Sequence, residues 1–394
     1  FEDLIADLDR VVMPGVTHWQ SPSWFAYFPA NASPPSILAE LVSAGLGMQG
    51  MLWSTSPVVT EVENRVLDWM VDLLGLPEQW KTTELGGGVI QMSASDATHV
   101  ALVVAREQAI DRGTSEEMAV YVSDQAHSSI EKGCNVADIG HCRKVPVDTE
   151  FGMDIECLRR MIDDDVAQGV VPTAIVSAIG TTATTAVDPL DEIGELARAH
   201  GMWHHVDAAY AGTAMLCEEF RGYQPRLDLV DSYTVNPLKW MLTNFDCNIL
   251  WLSDRKPLID TMSILPPYLR NEASDAGAVI DYRDWHVPLG RRFRALKLWW
   301  VIRSYGAEGL RQMVREHVAM AADFADRIDA DERFDLFAPH PFGLVCFTHR
   351  GGNEATQGLG EALNESGKVA VTPSVIEDRH FLRVSIGQAY TEQR

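Results

Sequence analysis

No apolar run in the chain approaches the ~18 residues that a helix needs to cross a bilayer. Positive charge is scarce: 32 Lys and Arg stand against 56 Asp and Glu, a formal net charge of −24. So acidic a surface repels phosphate backbones and anionic lipid heads, and no basic block offsets it, so neither a nucleic acid nor a membrane is expected as a partner. The six cysteines (Cys134, Cys142, Cys157, Cys217, Cys247, Cys346) include no C-x-x-C pair. In a chain of 394 residues that reads as reduced, cytoplasmic thiols, with neither a disulfide framework nor a zinc site. The twelve histidines show no metal spacing, and the adjacent His204 and His205 would point to opposite faces of a strand; no metal is expected. A G-x-S-x-G elbow is missing, which argues against a Ser-His-Asp hydrolase. Repeats, low-complexity stretches and Pro/Gly/Ser-rich linkers are missing too. The acidic, amphipathic start, Phe1-Glu2-Asp3-Leu4-Ile5, is the opposite of a signal peptide.

What is present is a globular composition, 46% hydrophobic and 22% charged. At roughly 150 residues per domain there is room for two or three domains. Between Trp19 and Pro29, large rings interleaved with prolines cannot follow a helical stripe and should line a surface or pocket. From Thr60 the apolar period is helical, with Thr60-x-x-Glu63 as a capping box and Gly75 as the stop. Strand-like runs at 118–122, 174–179, 203–206, 232–235 and 248–252 then alternate with helical segments, of which 189–200, stopped by Gly201, is the clearest. That alternation predicts βαβ units and a mostly parallel, doubly covered sheet, with any ligand at the carboxyl ends of its strands. Beyond about Gly306 a long amphipathic helix precedes strand-like runs at 342–347 and 381–386, a smaller α+β domain.

Lysine is rare: Lys81, Lys132, Lys144, Lys239, Lys256, Lys297 and Lys368. Six read as loop or helix-surface residues, whereas Lys239 follows a strand in the apolar setting Asn236-Pro237-Leu238-Lys239-Trp240-Met241. Such a lysine either snorkels out or, with its pKa lowered by burial, forms a Schiff base with a carbonyl. Asp207 ends a strand beside Ala208, Ala209 and Gly212. It could cap a helix, or it could meet a flat ligand and hold a pyridine nitrogen protonated, as pyridoxal phosphate requires. Gly86-Gly87-Gly88 leads towards Ser93-Ala94-Ser95, which opens a helix over 99–106. This is an ordinary capped helix or a seat for a phosphate. His127, after the strand through Val122, would lie on the same ligand side.

Together these stretches resemble the group II pyridoxal-phosphate-dependent decarboxylases, most closely the aromatic-L-amino-acid decarboxylase branch. The resemblance is carried by Pro14-Gly15-Val16-Thr17-His18-Trp19, the Asp-Gln-Ala-His-Ser-Ser around His127, Val206-Asp207-Ala208-Ala209-Tyr210-Ala211-Gly212, Asn236-Pro237-Leu238-Lys239-Trp240 and Pro288-Leu289-Gly290-Arg291-Arg292-Phe293-Arg294. It runs in family order from Phe1 to about Ile386.

The resemblance implies an α/β, fold type I (aspartate-aminotransferase-like) large domain over 34–296, after an N-terminal segment at 1–33. A small α+β C-terminal domain over 297–394 completes the chain, in an obligate homodimer with sites at the subunit interface. By motif, Lys239 would bind pyridoxal 5′-phosphate covalently, Asp207 its ring nitrogen and His127 its ring face and the substrate carboxylate. Ala94, Ser95, Thr182 and Asn236 would contact the same cofactor, and Gly290 would reach the phosphate bound in the other subunit. Trp19, Tyr27, Phe28 and Pro29 match the family's substrate pocket; Gln49 and Met51 would enter from across the interface. Tyr268 matches the tyrosine of the catalytic loop, and favours decarboxylation over the aldehyde-forming variant, which carries phenylalanine there. The implied activity is decarboxylation of an aromatic L-amino acid to its arylalkylamine. An aromatic acetaldehyde synthase, a decarboxylase of another amino acid such as histidine, and a non-catalytic homologue are the alternatives. The chain departs from the family at Leu238, where a polar residue is usual, and at Ala30, Gln49 and Met51. Relatives usually extend some tens of residues before Phe1 and by a helix after Arg394.

Overall fold

A computed structural model describes residues 1–113, 117–264 and 279–392. Seven strands, β1 (Gly87–Gln91), β2 (Met118–Ser123), β3 (His141–Val145), β4 (Val171–Ala178), β5 (Trp203–Asp207), β6 (Ser232–Val235) and β7 (Asn248–Leu252), form one sheet in the order β1-β7-β6-β5-β4-β2-β3. The pairs from β3 to β6 are parallel, and β7 is antiparallel to both β6 and β1. β1, β2, β6 and β7 are buried along their whole length, as strands covered on both faces must be. The mostly parallel sheet expected from the alternating pattern is present, and its carboxyl ends carry the turns holding His127, Thr182, Asp207 and Lys239.

Sequence and structure part at four places. The helix expected from Thr60 is Pro57–Leu74, with Ser56 at its N-cap and Gly75 in the left-handed conformation as its stop (φ 66°). Proline at the first position sets the start one turn earlier, so no capping box forms. Glu63 instead turns inward and accepts from the Ile90 N–H at 2.9 Å. The glycines at 86–88 enter strand β1, where a Cβ on Gly88 would stand 2.7 Å from the Trp251 ring and one on Gly86 2.3 Å from the Leu252 carbonyl oxygen; close packing on β7 requires them. The helix expected over 99–106 runs Ala94–Asp111. Lys297, read as a surface lysine, is 1% exposed and paired with Glu40 at 2.7 Å.

A second, antiparallel sheet of β8 (Phe334–Leu336), β9 (Leu344–His349), β10 (Thr372–Ile376) and β11 (Arg379–Ser385) has the order β10-β11-β9-β8. The long helix Arg294–Asp329 joins the two units and breaks at Gly306 (φ 68°, ψ 170°). Leu298, Val301, Leu310 and Val314 on it pack into the main core, whereas Ala321, Ala325 and Ile328 pack on the small sheet. Among the described residues no helix is long and apolar enough to cross a membrane.

Candidate active site

At the carboxyl ends of the parallel strands one cleft is lined by Phe28, Ser93, Ala94, Ser95, His127, Ser129, Ala178, Gly180, Thr181, Thr182, Asp207, Ala209, Tyr210, Asn236 and Lys239. Open α/β sheets bind ligands at this edge. Sequence positions far apart meet here for a topological reason: β2, β4, β5 and β6 run the same way, so the turn after each strand opens on one side.

Lys239 lies in the single helical turn Pro237–Trp240 that follows β6. Its N–H donates to the Asn236 carbonyl at 2.9 Å, and its own carbonyl accepts from the Asn31 side-chain amide at 2.7 Å. Asn236 is fixed by Asn248, whose amide donates to the Asn236 Oδ1 at 2.8 Å. Burial holds the Lys239 amine below its ordinary pKa; Asp207 opposes that shift and Arg383 adds to it. A larger share of neutral amine at neutral pH makes this the chain's best-placed nitrogen nucleophile. Asp207 ends β5, and its Oδ1 accepts from the Ala209 N–H at 2.9 Å. Ala208 and Ala209 add no bulk beside it, and a Cβ on Gly180, another lining residue, would stand 2.8 Å from that of Ala211.

His127 Nδ1 accepts from the Ser129 N–H at 3.1 Å and lies 2.9 Å from its hydroxyl. That leaves the proton of the neutral ring on Nε2. Burial lowers the imidazole pKa, against Asp207 and with Lys239 and Lys132. Across the cleft the Phe28 ring stacks on Tyr210 with centroids 4.0 Å apart, and the Lys239 Nζ lies 5.3 Å above its centre. Ser93 caps the 18-residue helix Ala94–Asp111, accepting from the Asp96 N–H at 3.1 Å. The first N–H groups of that helix have no acceptor in the preceding turn and suit an anion.

The other predicted residues lie elsewhere. Trp19 and Tyr27 stack at 5.3 Å in a ring cluster with Trp24. Pro29 is buried against Gly387, where a Cβ would meet it at 2.8 Å. Gln49 and Gly290 are neighbours: Gln49 Oε1 accepts from the Arg291 N–H at 2.7 Å, and a Cβ on Gly290 would stand 3.3 Å from Gln49 Nε2. Met51 accepts at its carbonyl from the Arg283 N–H at 3.1 Å. None of these six lines the cleft of Lys239. Leu238 is not among the residues that line it and is buried, 6% exposed. Tyr268 lies outside the described residues. Sequence reasoning missed Arg383, whose guanidinium lies 5.2 Å over the Phe28 ring and donates from Nε to the Ala183 carbonyl at 2.9 Å. A lone arginine between the apolar Leu382 and Val384 was the available signal.

The donor set fits a flat, phosphate-bearing carbonyl compound: one amine, one carboxylate, an aromatic face and a helix N-terminus around small residues. Residues 1–350 match the family described as Pyridoxal-dependent decarboxylase conserved domain. The chain is 42% identical to phenylacetaldehyde synthase of Arabidopsis thaliana over 100% of its own length and 83% of that protein. It is 41% identical to an aromatic-L-amino-acid decarboxylase of Manduca sexta, over 99% of this chain and 79% of the relative. The crystal structure of Oryza sativa TDC with PLP and tryptamine superposes with a TM-score of 0.97 at 38% identity, covering 100% of this chain and 84% of that one.

Proposed function

Because this chain belongs to the pyridoxal-dependent decarboxylase family, we propose that it converts aromatic L-amino acids to the corresponding arylalkylamines and carbon dioxide. The observation that carries this reading is the meeting of Lys239, half-buried and with its amine pKa lowered by desolvation, with Asp207 and His127 in one cleft. When bound, pyridoxal phosphate supplies a conjugated ring that takes up the electron pair released as the Cα–carboxylate bond breaks. Lys239 would hold its carbonyl carbon, Asp207 its pyridine nitrogen, and Ala94, Ser95, Thr182 and Asn236 the remainder.

The protein's own part is orientation and proton control. Asp207 would stabilise positive charge on a ring nitrogen held against its carboxylate. His127, with its proton on Nε2, donates to a substrate carboxylate and fixes its direction. Phe28, backed by Tyr210, offers an apolar face to the substrate side chain. Tyr268 would return a proton to Cα.

We assign the active form to a homodimer. The segment 1–16 is exposed throughout, with Leu4, Leu8, Val11 and Val12 uncovered, and the helix Pro34–Leu46 leaves Ile37, Leu38, Leu41 and Leu46 more than half exposed. So much exposed apolar surface belongs against protein, and a second copy would cover it.

The test is a product assay across tryptophan, tyrosine, phenylalanine and histidine. Amine and carbon dioxide are expected in equal amounts from the aromatic substrates, and Lys239→Ala should lose both turnover and the visible absorbance of lysine-bound cofactor. Survival of that absorbance in the variant overturns the assignment. Aldehyde in place of amine would favour the synthase reading that the Arabidopsis relative supports, and turnover of histidine alone would move the substrate class.

A further inference from the structure

Glu63 and Arg291 form a buried ion pair at the root of the loop that carries Gly290. Their side chains are 0% and 2% exposed. Arg291 Nη1 donates to Glu63 Oε2 at 3.1 Å and Nη2 to Oε1 at 2.6 Å, the paired geometry that fixes a guanidinium in direction as well as position. Nη2 also donates to the Ile90 carbonyl at 3.0 Å, and Glu63 Oε1 accepts from the Ile90 N–H at 2.9 Å. The guanidinium lies 4.6 Å over the Tyr282 ring, whose hydroxyl donates to Asn64 Oδ1 at 2.7 Å. The main chain of Arg291 is pinned too. Its N–H donates to Gln49 Oε1 at 2.7 Å, and its carbonyl accepts from the Gly50 N–H at 3.0 Å.

One arginine therefore ties together the helix Pro57–Leu74, strand β1, the 49–50 turn and its own loop. The next residues outward are the reverse: Val287 is 71% and Leu289 47% exposed, and Gln49 and Gly290 are exposed beside them. A buried charged pair that does no chemistry is weak evidence for stability, because desolvation opposes the Coulomb gain, and its best-attested use is to fix register. Here what it registers is an uncovered tip.

We propose that the Glu63–Arg291 pair is a positioning device that acts in trans, holding Gly290 and Gln49 at the height where they complete the cleft of the second copy. The proposal rests on the homodimer read above. Neither residue of the pair lines the cleft of its own chain, so its effect on turnover passes through the tip.

The test crosses two variants of the full-length chain in one dimer, each carrying a different purification tag. Arg291→Lys keeps the charge and loses the paired geometry; its homodimer should turn over roughly 100-fold more slowly, as a misplacement of order 1 Å does. Lys239→Ala is inactive but has an intact loop. In the mixed dimer the working Lys239 belongs to the Arg291→Lys chain and faces the intact loop of the other chain. Recovery of the wild-type rate per competent site is expected, with the urea midpoint of the Arg291→Lys chain still lowered; a merely structural role would not recover. A mixed dimer as slow as Arg291→Lys alone overturns the proposal, since the pair then serves its own cleft. A wild-type protein that sediments as an active monomer overturns the homodimer reading as well, and is distinguished by size before any crossing. If Arg291→Lys does not fold, Gln49→Ala, which leaves the buried pair in place and removes the side-chain tether on the Arg291 N–H, takes its place and must show the same recovery.

Discussion

The cleft of Lys239 and the edge that carries Gly290 are built from the same kinds of residue to opposite ends. In the cleft, groups are left without a permanent ionic partner: Lys239 is half-buried, its amine pKa is lowered by desolvation, and no carboxylate pairs with it within ion-pair distance among the described residues. At the edge, more deeply buried charged groups each have an ion-pair partner, Lys297 with Glu40 at 2.7 Å and Arg291 with Glu63 at 2.6 Å, while apolar groups stand in the open. A buried charge without its partner is costly to keep, and a fold keeps one where the charge is to be used. An exposed apolar strip is equally costly, and is kept where another surface covers it. On the reading proposed above, the cleft is finished by a ligand and the edge by a second chain.

The sharpest way to break this comparison is at the unpaired end. Asp207→Asn removes the carboxylate facing the ring nitrogen with little change of shape, and should lower kcat by roughly 10³-fold, the size of losing a main electrostatic stabiliser. Stopped-flow turnover with saturating cofactor measures it, and a loss below tenfold would remove Asp207 from the role. Next comes the paired end. Glu40→Gln leaves Lys297 buried without its counter-ion, a change that costs about 3 kcal/mol of stability. Urea unfolding should register that loss while kcat per folded molecule stays near wild type. If activity falls and stability does not, Lys297 belongs with Lys239 after all.

These two lysines also mark what the sequence could say. Lys239 was legible because its neighbours along the chain, Leu238, Trp240 and Met241, are apolar and it follows a strand. Lys297 was not, because the residue that neutralises it, Glu40, lies in another helix far along the chain, and local composition carries no trace of that pairing. Glu63 failed in the same way: its spacing from Thr60 satisfied a local capping pattern, but Arg291 and the Ile90 backbone claimed its carboxylate. Strand β1 was hidden by glycines that strand propensity disfavours and that packing against Trp251 demands. The parallel sheet was readable from β2, β4, β5 and β6, short strand-like runs between helical segments, though not from β3, whose His-Cys-Arg-Lys-Val is mostly only partly buried; the cleft was readable because turns after parallel strands gather on one side. Gln49, Met51 and Gly290 came only with the resemblance, and a single chain leaves them outside its cleft.

The strand beneath Asp207 gives a smaller effect. His204 and His205 are fully buried, held by Ser177 and Ser232 at 2.7 and 2.8 Å, and burial pushes both pKa values down to about 4. The unfolded chain, with histidine near 6.5, binds the extra protons, so the stability each contributes is whole above pH ~6.5 and is lost as pH falls towards 4. At pH 5 that is about 2 kcal/mol per histidine, from about 1.4 kcal/mol for each pH unit below 6.5. His205→Gln should flatten the difference between urea unfolding at pH 7 and pH 5 by that amount. Equal differences in the two proteins would mean that His205 is protonated in the native state.

The last test is at the edge. Leu41 is 68% exposed on the helix Pro34–Leu46, and a leucine covered by a partner contributes about 1.5–3 kcal/mol. Leu41→Asp withdraws that contribution from each side of a symmetric interface and adds a charge that must be desolvated on assembly. Sedimentation should therefore show association weakened by roughly 100-fold or more, the effect of about 3 kcal/mol. The unfolding midpoint of the monomer should hardly move, because an exposed side chain is not part of its core. Activity per dimer should be unchanged and activity per chain should fall with dilution, because the cleft is whole only while the second copy stays. A variant that keeps its activity at concentrations where it sediments as a monomer would erase the distinction between the two regions, since the cleft would then need nothing from the edge.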